Sequence, residues 1–172
     1  MVALGLLVLR LVIGIIMAGH GAQKLFGWWG GPGMKNWTAG MTRMRLRPPA
    51  AWAWISALSE MIGGIGLAIG LLSPLPNLAI AGAMLVAIAL VHWPRGFWNT
   101  KGGYEFNLSI LGAISALALT GPGALSLDAA LGIHLPEPAT LIAGTILLLI
   151  GVATALGTRG PSPAPEPKPQ AT

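Results

Sequence analysis

The sequence predicts an all-α integral membrane bundle, and three observations carry that expectation. Of 172 residues, 54% are hydrophobic and only 9% are charged, whereas a soluble domain carries about 25% charged residues. Apolar runs approaching or reaching the roughly 17–25 residues needed to cross a bilayer recur along the chain. The few charges are sorted almost entirely to one side of those runs. A chain this apolar could not cover a folded surface with polar groups in water, so its solvent is lipid.

Five apolar segments can be drawn, at 2–19, 51–72, 77–92, 105–120 and 138–157. The first, second and fifth have the length of a span, and the third reaches it with tilt and its flanks; the fourth, "EFNLSILGAISALALT", is short. The first segment lacks a positive leader, carries Arg10 within its apolar stretch and runs into "MAGHGA", a poor cleavage site. It therefore reads as a retained helix rather than a secretory signal. Pro48-Pro49 suit the start of the second helix, and "SPLPN" at 73–77 is a tight turn before the third. In the long connection 20–50, Met34, Trp37, Met41 and Met44 recur at three- and four-residue spacing, with Lys35, Arg43 and Arg45 off that stripe. This pattern predicts a short helix lying in the membrane interface. "GPGALSLDAALG", with Ser126 and Asp128, reads as a turn followed by a capped helical segment. The expected organisation is a four-helix bundle over 1–130, an additional transmembrane helix within 131–158, and a disordered proline-rich tail over 159–172.

Of the ten Lys and Arg residues, Lys24, Lys35, Arg43, Arg45 and Arg47 fall in the first connection, Arg95 and Lys101 in the third, and Arg159 and Lys168 in the tail. None falls on the other side, and Arg10 lies within the first helix. The positive-inside rule then places these connections and the C-terminus in the cytoplasm and the N-terminus outside, in the plasma membrane. It also accounts for the net charge of +5 without nucleic acid. The tryptophans share the asymmetry, since all seven lie in or beside the first and third connections. The chain has no cysteine, which removes disulfides, thiol redox chemistry and thiolate-held metals or Fe–S clusters for this chain alone. No phosphate-binding loop, dinucleotide fingerprint or zinc-protease motif is present.

Charges inside the spans are the candidates for function. Counting 1.5 Å per residue from helix ends near His20 and Ala51, Arg10 and Glu60 both reach about 13–15 Å below the same face. A lone charge at that depth costs at least about 2.5–3.5 kcal/mol, so an Arg10–Glu60 ion pair is expected in the interior, either fixing helix register or flooring a polar pocket. His20, His92 and Glu105 are expected at the cytoplasmic mouth, as helix-end caps, as proton-handling groups or as a weak metal-ligand set. Paired glycines follow both histidines at the same interval, Gly30-Gly31 and Gly102-Gly103, which suggests two similar helix–loop–helix halves. His134 reads as interfacial.

Arg10, "HGAQKLFGWWGGPG", "SEMIGGIGLAIG", "VHWPRGFW", "GGYEFNLSILG" and "GPGALSLD" together resemble the DoxX family of small bacterial membrane proteins over about residues 5–130. The matching positions are Arg10, His20, Gly21, Lys24, Gly30, Gly31, Glu60, Gly63, Gly64, His92, Gly102, Gly103, Glu105 and Asp128. The resemblance implies a four-helix membrane bundle and a membrane component of an oxidoreductase, the family taking its name from likeness to a subunit of a thiosulfate:quinone oxidoreductase. It implies soluble or membrane redox partners, and distant relatives act as assembly chaperones. On this reading a quinone enters from the lipid near the tryptophan-rich mouth, and its polar ring meets His20, His92, Glu105 or the Arg10–Glu60 pair. Lys24, Trp28 and Trp93 are candidate contacts to that cofactor. Electrons come from a partner or substrate. The alternatives are a non-catalytic adaptor or assembly factor that docks a cytoplasmic partner or anionic lipid through its basic face, and a small-solute transporter.

Overall fold

A computed structural model of the chain describes residues 1–136 and 138–161. It is helical throughout, as expected. Helix α1 spans Val2–Phe26, α2 Gly33–Arg43, α3 Pro49–Ile69, α4 Leu75–Ala87, α5 Glu105–Thr120, α6 Leu127–Leu131 and α7 Ala139–Gly157. Four stretches are long and apolar enough to cross a membrane: Val2–Phe26, Pro49–Ile69, Leu75–Arg95 and Ala139–Gly157. The third of these includes α4 and its continuation, a π-helical turn at Ile88–His92 followed by a 3₁₀ turn at Trp93–Arg95. Pro94, which has no N–H to donate, lies where regular helix gives out. α5 is shorter, at 16 residues. Beyond residue 161 the expected proline-rich tail lies outside the described residues.

α1 runs nearly two turns past its expected end at residue 19, to Phe26. Gly19 and Gly21 do not stop it, because glycine is tolerated within membrane helices where neighbours pack closely. It ends at Gly27, whose left-handed conformation (φ 74°) lets its N–H bond to Gln23 O.

The most extensive helix pair is α1 with α3, an antiparallel seam built on glycine. A Cβ on Gly14 would come within 2.6 Å of the α3 backbone at Ala68 N and Gly64 O, one on Gly64 within 2.6 Å of Gly14 O, and one on Gly21 within 2.6 Å of Met61 Cα. Without water to drive apolar association, close backbone approach and dispersion hold the helices together, and only glycine permits this separation. α4 packs against α3, and α5 against α4 and α1. Met17, Leu67, Ile80, Met84, Ile110, Ile114 and Leu117 fill the space among these four.

α2 forms where its methionine stripe predicts, but that stripe faces protein rather than lipid. Met41 and Leu46 are buried with Ala53 of α3 and Ala155 of α7, and Met34, Trp37, Met44 and Trp52 pack around them. Lys35 and Arg43 are exposed on the other side. α7 lies along α4 and is tied at its C-terminal end to the connection after α2. There Gly160 N donates to Arg45 O at 2.9 Å and Arg159 Nε to Met44 O at 3.3 Å. The rest of α7 is mostly exposed, with Ala155 its one buried residue, as suits a helix bathed in lipid.

Gly64→Val should be severely destabilising, well above the roughly 1–3 kcal/mol of ordinary overpacking, because its branches meet backbone. Gly112→Ala, with nothing within 4 Å of the added carbon, should stay within about 0.5 kcal/mol of wild type. Thermal unfolding of the detergent-solubilised protein measures both.

Candidate functional site

The α1–α3 register decides which intramembrane charges meet. With Gly14 beside Ala68 and Gly64, and Gly21 beside Met61, the next turn of α1 brings Lys24 to the level of Ser56 and Glu60. Lys24 and Glu60 form a salt bridge, with side-chain exposures of 15% and 3%. The Lys24 ammonium also lies over the Trp37 ring, 4.5 Å from its centroid. Trp37 is itself fixed, its indole N–H donating to Ser56 Oγ at 2.8 Å, while the Ser56 hydroxyl donates to Ala53 O at 3.2 Å. One lysine is thus held by a carboxylate and an aromatic face, and the α2 lid is tied to α3 through the same group of side chains.

This pair lines a cavity of about 240 Å³. α2 contributes Trp37 and Met41 to the walls, and α3 contributes Trp52, Ile55, Ser56, Ser59 and Glu60. α4 and its π-helical continuation supply residues from Leu78 to Val91, and α7 supplies Leu148, Gly151 and Val152. Apart from the ion pair, the two serines and the indole N–H groups, the walls are apolar.

The expected Arg10–Glu60 pair does not form. Arg10 and Lys24 lie about 21 Å apart along α1 at 1.5 Å per residue, and Glu60 is at the level of Lys24. The physical reason is the extension of α1 to Phe26, which slides the helix relative to α3 and carries Arg10 toward the opposite end of the bundle. There Arg10, 1% exposed, donates from Nη2 to the Leu125 carbonyl and lies against Gly70, where any side chain would overlap its guanidinium. Asp128 interacts with it through charge. Asp128 also accepts from Leu72 N at 2.7 Å and Ser73 N at 2.9 Å, and its own N–H donates to Gly70 O at 3.0 Å. Ser126 caps α6 as expected, accepting from Ala129 N at 3.1 Å. The capped turn expected here has a further role that its local sequence does not show: it closes the end of α3 and receives Arg10. Among the described residues, Nε and Nη1 of Arg10 have no hydrogen-bond partner.

The other sequence candidates serve the mouth rather than the cavity. His20 is exposed and sits within α1 rather than at its end, its ring 5.7 Å from that of Phe106. His92 Nδ1 is 2.7 Å from Gly102 O, and a Glu105 oxygen accepts from Asn99 N at 3.0 Å. These two hold the connection between α4 and α5. Among the described residues no three His, Cys, Asp or Glu side chains stand together as metal ligands would, so the weak His20–His92–Glu105 metal set is not assembled. Trp28 and Trp93 are exposed and line neither the cavity nor the ion pair. Of the candidate cofactor contacts, only Lys24 reaches the cavity. The paired glycines do play matching local parts. Gly30 and Gly102 have φ of 77° and 75°, and Gly31 and Gly103 each press against backbone, at Gln23 and at Phe97. The histidines do not match, since one lies mid-helix and the other in a π turn.

The DoxX family profile matches residues 5–93. A curated relative from Bacillus subtilis (strain 168), named "Putative oxidoreductase CatD", is 31% identical over 125 residues, covering 73% of this chain and 85% of the relative. No solved structure matches the chain. The matched region contains Lys24 and Glu60 and stops before α5, α6 and α7.

Lys24→Met strands a carboxylate that is almost fully buried, while Glu60→Gln strands an ammonium that retains some exposure. Lys24→Met should therefore cost more stability, up to about 3–5 kcal/mol, and the double variant should lie closer to wild type than Lys24→Met does. Melting curves of the three variants test this order.

Proposed function

The chain belongs to the DoxX family of membrane proteins, and on that premise we propose that it is the membrane component of an oxidoreductase system, binding an apolar redox molecule of the quinone class in the cavity beside Lys24 and Glu60. The observation that carries this reading is the buried Lys24–Glu60 pair in the wall of an otherwise apolar, intramembrane cavity. Ligand sites commonly have this form, mostly apolar with a few convergent polar groups. Ionisable groups held within a membrane are expensive and mark sites of function.

Reduction of a quinone to a quinol takes up two electrons and two protons. In this reading Lys24 donates a hydrogen bond to a ring carbonyl oxygen, where negative charge develops on reduction. Glu60 holds Lys24 in place and exchanges protons with the ring oxygen, with Ser56 and Ser59 as neighbouring hydroxyls. The electrons come from a redox partner. The partner is cytoplasmic or membrane-bound, and the basic face bearing Lys35 and Arg43 offers it a docking surface.

In nanodiscs, a tail-less benzoquinone should bind saturably and quench tryptophan fluorescence, since Trp37 and Trp52 line the cavity. Glu60→Gln should weaken this binding about tenfold, the worth of roughly 1.4 kcal/mol, in protein that retains its helical circular dichroism. Equal binding by the folded variant, or none by wild type, would sink the reading.

The proposed location is a bacterial plasma membrane, with the basic end of the bundle in the cytoplasm. A green fluorescent protein fused after Thr172 should fluoresce, and an alkaline phosphatase fused there should be inactive in cells. The reverse pattern would invert the topology.

A further inference from the structure

α3 and α7 both pack on α4, yet no comparable seam joins them to each other. They come together beneath α2, where Ala53 and Ala155 are both buried, and the polar ties of Arg159 and Gly160 pin that end of α7. Deeper in the bundle both helices line the cavity. Ile55 of α3 and Gly151 of α7 belong to its lining and are both exposed. Set one on each helix, they are taken as the lips of an opening between the two helices.

The depth of that opening fixes what it faces. Ile55 lies six residues after Pro49, and Gly151 six residues before Gly157, so both sit about 9 Å inside their helix ends at the α2 face. The hydrocarbon half-thickness is about 15 Å. The opening therefore meets acyl chains and not water. The cavity is also small. At about 240 Å³ it falls below the roughly 300–1,000 Å³ of sites that enclose a whole ligand, so it has room for a polar ring but not for a long chain as well.

We propose that the cavity is loaded sideways from the bilayer, between α3 and α7, by a long-tailed amphiphile whose uncharged polar head lies at Lys24–Glu60 and whose tail runs out past Ile55 and Gly151. This rests on the assignment of the ion-pair cavity as the redox site. The head is uncharged because Lys24 and Glu60 already neutralise each other, and a further buried charge would have no partner. α7, beyond the family-matched region, thereby acquires a role: it forms one side of the tail channel and selects for tailed ligands. The space beside Gly151 is open, since a Cβ there would meet nothing within 4 Å.

Full-length protein in nanodiscs is titrated with two probes that share one dimethoxy-methyl-benzoquinone ring, one without a tail and one with a decyl tail. Gly151→Phe puts a ring in the opening. It should raise the Kd of the tailed probe by a factor about tenfold larger than it raises that of the tail-less probe. Ile55→Trp, on the other lip, should give the same split if Gly151→Phe folds poorly. Leu147→Phe, on the exposed side of α7 and outside the cavity, should change neither. If the tail-less probe binds wild type and both lip variants weaken the two probes equally, or not at all, sideways loading is overturned and the redox-site assignment stands. If neither probe binds wild type, both fall together.

Discussion

The close approach of α1 and α3 is the constraint on which the rest of the structure depends. Gly14, Gly21 and Gly64 let the two backbones come nearer than any other residue type would allow. That nearness locks the register: a slide along the seam would drive a side chain into a backbone. In a bilayer, where apolar groups gain little by leaving lipid for one another, shape at such a seam is a principal source of helix pairing. Register in turn sets the electrostatics. It lifts Lys24 to Glu60 and carries Arg10 to the loop that holds Asp128, so two buried charge systems lie near opposite ends of one helix instead of meeting in its middle.

The two systems are built differently, and the difference separates structure from chemistry. Arg10 and Asp128 mainly engage backbone. The arginine reaches the Leu125 carbonyl, the carboxylate takes the N–H groups of Leu72 and Ser73 in the turn after α3, and the Asp128 N–H donates to Gly70 O at the end of that helix. The bond to Gly70 O pairs a carbonyl of the kind a helix C-terminus leaves unpaired, and the others fasten the α6 turn over the end of the bundle. Lys24 and Glu60 bond side chain to side chain and border open space. Neither is needed to cap a helix. A buried pair is a doubtful source of net stability, so its placement beside a cavity is better accounted for by what the cavity holds.

Much of the fold was legible in the sequence. Hydropathy located all five apolar segments, and the methionine spacing located α2. The wrong inferences all trace to tertiary packing. "AGHGAQKLF" looked like a helix exit because glycine and a lysine followed an apolar run, and nothing local reveals that Gly21 packs on Met61 and that Lys24 has a carboxylate waiting across the seam. Once the end of α1 was misplaced, depth counting paired Arg10 with the wrong partner. The stripe of α2 was correctly read as one-sided, but amphipathicity states only that a face is apolar and not whether lipid or protein covers it. His92 and Glu105 are titratable residues that flank the same connection. Their partners, a carbonyl and an amide of the same connection, are the ordinary needs of a turn.

The cavity divides between two parts of the chain. Its polar groups, Lys24, Ser56, Ser59 and Glu60, and its α4 wall all lie within residues 5–93, the part matched by the family. Leu148, Gly151 and Val152 lie outside it. The ion pair is anchored by the glycine seam, so its position is tied to the register of α1 and α3. α7 touches the bundle along α4 and at one pinned end, so substitutions on its cavity side meet little that resists them. A head-group chemistry fixed by α1 and α3 can therefore be combined with a tail channel tuned through α7, without disturbing the register on which both charge systems rely.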